Sequence, residues 1–166
     1  MAKLAGLCMI VAALTLSACG FSPVHAPNAF GGEGYDYQDI AVIASENEKE
    51  DFALKQALRT RMGDNASTKY TLHVDPKTRR VGLGIGAEDV GSRYDLIMDV
   101  SFELQDAKSG DVIYKDKITA VSTFGAPRDA YGTIAAENNA QEQVAAEAAD
   151  RILIRLARHF AHSKTP

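Results

Sequence analysis

Between Ser92 and Gln105 the side chains alternate with a period of two. Leu96, Met98, Val100, Phe102 and Leu104 fall on one side, and Asp95, Asp99, Ser101 and Glu103 on the other. A helix would scatter both sets around its circumference, so this spacing predicts a β-strand with one dry and one wet face. Such strands belong to antiparallel sheets covered on one side only. Asp106–Gly110 supplies a glycine-containing hairpin loop, and Val112–Phe124 is the returning strand. Ile97 interrupts the polar set, and Ile113 and Val121 are out of phase with Tyr114, Ile118 and Ala120. Two readings stand for this outer apolar surface: cover by the chain's own domain, or contact with a partner.

The remaining elements follow from punctuation and periodicity. Tyr35–Ala44 is expected to be a first strand, with Ile40, Val42 and Ile43 as its apolar part. Ser45–Met62 is expected to be a helix. Ser45 and Glu48 form a capping box, acidic residues open it, and Lys55, Arg59 and Arg61 close it, as the helix dipole favours. Leu54, Ala57, Leu58 and Met62 make its apolar face, and Gly63 ends it. The acids from Glu46 to Asp51 resemble a metal cluster, but capping accounts for them more simply. Lys69–Asp75 is a second strand, Asp75-Pro76-Lys77-Thr78 a turn, and Arg79–Gly86 an extended segment with glycine at positions 82, 84 and 86. Glycine at alternate positions marks a close backbone approach or a mobile arm, not a dinucleotide fingerprint. Gly125–Gly132 reads as a loop. Thr133–Phe160 reads as a long helix whose stripe of Val144, Ala148, Ile152, Leu156 and Phe160 suits packing on a sheet.

The N-terminal end carries a different message. Lys3, an apolar run from Leu4 to Leu16, and Leu16-Ser17-Ala18-Cys19 together form the pattern of a bacterial lipoprotein precursor. The run is too short for a comfortable membrane span. Residues 1–18 are expected to be cleaved and Cys19 to carry the lipid. Residues 19–34, rich in proline and glycine, would form a tether, and residues 35–166 a single domain. Cys8 would leave with the signal, so no disulfide is expected. Gly20 rather than an aspartate after the cysteine favours the outer membrane. A full-chain charge of -4 with no dense basic run argues against nucleic acid.

No catalytic constellation is apparent. His25, His73, His159 and His162 have no zinc spacing, and neither a nucleophile elbow nor a phosphate loop occurs. No metal and no cofactor is expected beyond the covalent lipid on Cys19. Lys77, Arg79 and Arg80 cluster at the expected turn. They are either an ordinary solvated turn or a phosphate contact, which Lys115 and Lys117 would extend. From the residues alone, the reading is a lipid-anchored, small α+β domain.

Cys19-Gly20-Phe21 with Pro23, Ser92-Arg93-Tyr94-Asp95-Leu96, Phe102-Glu103-Leu104, Asp106 to Val112, and Tyr131 to Arg155 occur in this order. In that order the chain resembles the lipopolysaccharide-assembly lipoprotein family, LptE. The resemblance implies an α+β two-layer sandwich, two helices on a mostly antiparallel four-stranded sheet. It implies a non-catalytic protein of the outer membrane that plugs the LptD β-barrel and serves lipopolysaccharide transport. It also implies lipopolysaccharide contact through basic residues of the sheet side, carried over to Lys77, Arg79 and Arg80. The alternative is a free periplasm-facing lipoprotein module that regulates a cell-envelope enzyme.

Overall fold

The computed structural model describes residues 37–44, 49–63, 69–83, 92–127 and 129–163, all within the compact unit Tyr35–Pro166. The signal segment, Cys19, the tether, the capping box at 45–48, and Gly84 and Gly86 lie outside the described residues. A single 3-10 turn (Tyr37–Asp39) precedes β1 (Ile40–Ala44), followed by α1 (Lys49–Met62), β2 (Tyr70–Gly82), β3 (Ser92–Asp106), β4 (Val112–Ala126) and α2 (Ala130–Ser163). The strands form one sheet in the order β1-β2-β3-β4. β1 pairs parallel with β2, and the other pairs are antiparallel. The result is an α+β arrangement of two helices on a mostly antiparallel sheet.

β3 is the centre of this sheet. Leu96, Met98, Val100, Phe102 and Leu104 are all buried, as their alternation requires. The even-numbered residues of β2 and β4 share that face: Leu72, Val74 and Pro76 on one side, Ile118, Ala120, Ser122 and Phe124 on the other. α1 lays Leu54, Leu58 and Met62 on it, and α2 lays Val144, Ile152, Leu156 and Phe160. Ala140, Ala145, Ala148 and Ala149 are also buried. Their short side chains let the α2 backbone approach the sheet closely. Arg61 of α1 grips Asp150 of α2 with two parallel bonds, Nε to Oδ1 and Nη2 to Oδ2 (3.0 Å), which joins the helices at their solvent edge.

Three expectations change. The first strand starts at Ile40, because Tyr37–Asp39 forms the 3-10 turn. Asp75–Thr78 is not a turn, since β2 runs through it and Pro76 lies opposite Val100. The reason is phase. At the two ends of the β2–β3 ladder, Lys69 accepts from the Ala107 amide and the Leu83 amide donates to Arg93 (2.9 and 2.8 Å). Odd residues of β2 therefore bond toward β3, and even ones bond away from it. β1 ends opposite Val74, so the missing amide of Pro76 falls on an open edge, where proline is tolerated.

The long helix also begins earlier than expected. The Asp129 carboxylate accepts from the Gly132 amide (2.6 Å), and the Asp129 carbonyl accepts from the Thr133 amide (3.2 Å). Asp129 is thus the N-cap. A Cβ at position 132 would lie 2.8 Å from an Asp129 carboxylate oxygen, so the cap needs glycine there. At the end of α1, Gly63 takes φ +86° and donates its amide to the Arg59 carbonyl (2.9 Å).

Phe102 is 2% exposed and Phe52, on the outer side of α1, is 69% exposed. Phe102→Ala is expected to cost about 3–5 kcal/mol and Phe52→Ala less than about 0.5 kcal/mol, read from the shift of the urea midpoint. The hairpin loop yields a pH test. Asp106 accepts the amides of Lys108 and Ser109 (2.9 Å each), and these bonds hold its carboxyl below the usual range. Its folded pKa is depressed, so its stabilisation is present above about pH 4 and is lost as pH falls through the lowered value. Asp106→Asn should therefore lower the urea midpoint at pH 7, with the difference from the parent narrowing on acidification below pH 4.

Candidate contact surface on the open face of the sheet

Both helices cover the even face, and no described element covers the odd face. The odd face is built in rows across β2, β3 and β4. One row is Lys77, Asp99 and Thr119. The next is Arg79, Ile97 and Val121. The third is Val81, Asp95 and Thr123. Val81 is the diagonal neighbour of Ile97, and Ile97 lies directly beside Val121, so these three make an apolar diagonal across the far half of the sheet. Val81 and Val121 are exposed, and Leu83 continues the line.

Charge is arranged around this diagonal by cross-strand bonds. Asp99 accepts from Thr119 Oγ1 (2.6 Å) and from Arg79 Nε (3.4 Å), so it bridges β4 and β2. Asp95 accepts from Thr123 Oγ1 (2.6 Å). Lys77 Nζ lies 3.7 Å from the Asp75 carboxylate, a loose exposed pair of little energetic weight. Lys117 and Lys115 stand farther along the same face, in the rows of Ser101 and Glu103, and neither makes an ion pair among the described residues.

The basic cluster at 77, 79 and 80 is therefore split by the sheet. Lys77 and Arg79 stand on the open face. Arg80, one residue on, points to the helix side. Its guanidinium pairs with Glu137 of α2 (Nη1 to Oε2, 3.2 Å) and lies 5.0 Å from the centroid of the Tyr94 ring, which itself stacks on Phe124. Arg80 thus joins the first part of α2 to the far end of the sheet. Arg93, named in the sequence only as part of the Ser92–Leu96 run and not as a candidate contact, is exposed on the open face and joins the first two cations. Carrying the strand phase of Leu72 and Val74 through Pro76 would have sorted Lys77, Arg79 and Arg80.

Two of its carboxylates, Asp95 and Asp99, are held by threonine hydroxyls, and Asp99 also by Arg79. Among the described residues no group of three or more His, Cys, Asp or Glu side chains could hold a metal ion. No described helix is long and apolar enough to cross a membrane. Cys19, the expected lipid site, lies outside the described residues.

The sorting of the arginines is testable by stability. Arg80→Ala should lower the urea midpoint by the equivalent of about 1 kcal/mol, since it removes the contacts with Tyr94 and Glu137. Arg79→Ala should change it by less than about 0.5 kcal/mol.

A family model described as "LptE: Lipopolysaccharide-assembly" matches residues 37–156. No curated protein matches the sequence. The chain is similar to a protein of known structure from Caulobacter crescentus CB15, with 27% identity, a TM-score of 0.68, and 79% of this chain and 96% of that one covered. It shares its fold with rare lipoprotein B of Shewanella oneidensis (20% identity, TM-score 0.57, 76% and 98% covered). It also shares it with a minor lipoprotein of Acinetobacter baumannii (17%, 0.53, 74% and 94%).

Proposed function

The chain belongs to the LptE lipopolysaccharide-assembly family, and from that premise we propose that it is a lipid-anchored, non-catalytic protein of the outer membrane that seats in an LptD-type β-barrel and supports lipopolysaccharide transport. Cys19 is the anchor in this reading, and no cofactor takes part. The observation that carries it is the open face, where Lys77, Arg79 and Arg93 flank an apolar diagonal. Lipopolysaccharide carries phosphate and acyl chains, and this face offers guanidinium groups for the first and apolar side chains for the second. A contact role needs rigidity and complementary surface, which a continuous sheet supplies. Arg80 enters the proposal as a positioning residue, since it fixes α2 against the far end of β2 and β3.

Two measurements test this reading. The tagged full chain, extracted from its own outer membranes in mild detergent, should recover a large β-barrel in near-equal amount, identified by mass spectrometry. Recovery alone, or with a cell-wall enzyme, would favour the free binding module. In the second measurement, Lys77→Ala with Arg79→Ala should lower co-purifying lipopolysaccharide about tenfold, the loss of two charge-assisted contacts. The barrel yield should stay unchanged. Unaltered lipopolysaccharide in the double variant would remove these residues from the contact.

A further inference from the structure

The open face of the sheet changes character along its length. Across β2, β3 and β4 its apolar side chains, Val81, Leu83, Ile97 and Val121, all lie on the far side of the row of Lys77, Asp99 and Thr119. Toward the hairpin come two more rows. One is Asp75, Ser101 and Lys117, and the other is His73, Glu103 and Lys115. Neither row holds an apolar side chain on these three strands, and only Ile43 of β1 borders the second. The polar groups of the two halves also differ in their commitments. In the far half Asp95 and Asp99 are taken up by Thr123, Thr119 and Arg79. In the near half the side chains of His73, Ser101, Glu103, Lys115 and Lys117 make no hydrogen bond or ion pair among the described residues. They present donors and acceptors together, the chemistry that meets a polyhydroxylated ligand, since each hydroxyl both gives and accepts.

Resting on the lipopolysaccharide reading above, we propose that the ligand lies along this face in one direction. Its acyl chains cover Val81, Ile97 and Val121, its phosphate sits at the junction on Lys77 and Arg79, and its saccharide runs over the near half toward the hairpin at Asp106. The order of groups in the ligand, acyl chains, phosphorylated sugars and then a longer saccharide, follows the order of groups on the face. Lys77 and Arg79 occupy adjacent rows, whereas Arg93 stands alone at the opposite flank of the apolar diagonal. That imbalance sets the phosphate on the hairpin side. Ser101, Glu103, Lys115 and Lys117 then form a saccharide subsite. Glu103 repels phosphate but accepts from sugar hydroxyls, and the two lysines take hydroxyls and acidic sugar groups. Lys117 and Val121 are four residues apart on one strand, so the subsite begins about 14 Å from the acyl contact. The reverse direction would lay acyl chains over Glu103, Lys115 and Lys117 and strip three charges of water without giving them partners.

The test uses the processed, full-length lipoprotein in detergent and two probes. Lipid A ends at its phosphorylated disaccharide, and the second probe is a lipopolysaccharide that carries its core saccharide. Thermophoresis of the dye-labelled protein gives a Kd for each. The parent should bind the core-bearing probe about tenfold more tightly than lipid A. Lys115→Ala with Lys117→Ala should remove that advantage and leave the Kd for lipid A unchanged. Lys77→Ala with Arg79→Ala should weaken both probes alike, because both carry the phosphate. All four positions are exposed, and far-UV circular dichroism with thermal midpoints checks that both variants fold. A parent that binds the two probes equally would overturn the proposal, as would a Lys115 and Lys117 variant that loses both or neither. Undiminished binding in the Lys77 and Arg79 variant would remove the phosphate from the junction and overturn the order. A parent that binds neither probe would instead overturn the lipopolysaccharide contact itself, and this inference with it.

Discussion

The pairing of β3 on both sides is the constraint on which the rest of this domain depends. β2 and β4 both follow it in register, so the phase of one strand becomes the phase of three. A slip of one residue would carry Leu96, Met98, Val100, Phe102 and Leu104 into solvent and bring Asp95, Asp99 and Glu103 under the helices. The cost of burying those carboxylates without partners far exceeds any local preference of the neighbouring strands. The irregularity opposite Leu104 and Gln105 sits near the hairpin end, where it disturbs the shortest part of the ladder.

That hierarchy explains which parts of the fold were legible. The alternation in β3, the apolar face of α1 and the αL glycine at position 63 are local signals that agree with their surroundings, and each is visible in the sequence. Asp75-Pro76-Lys77-Thr78 has turn chemistry, yet it runs straight. The ladder to β3 continues on one side, and the absence of β1 on the other leaves room for proline. Nothing within those four residues reports where β1 ends. The onset of α2 was hidden for a similar reason. Gly132 looks like a breaker until Asp129 is seen to need the space that a side chain would fill.

The candidate surface was partly legible. Lys77 and Arg79 were singled out by composition, and the structure keeps them together beside Ile97 and Val81. Arg80 was grouped with them only because an expected turn has no faces. In a strand, adjacent residues are sorted to opposite layers, and Arg80 serves the helix layer. Arg93 and the threonine–aspartate bridges between β3 and β4 depend on cross-strand register, which a linear reading does not contain.

The lengths of the elements have a mechanical consequence. β3 has 15 residues and α2 has 34, so at their standard rises each extends about 50 Å. Strand and helix therefore run the full length of the domain in parallel layers, held together by closely seated alanines and by Arg80 at one end. Val81 lies opposite Asp95, so the open face there and the hairpin at Asp106 stand about 36 Å apart on one uninterrupted strand, a span somewhat greater than the hydrocarbon thickness of a bilayer.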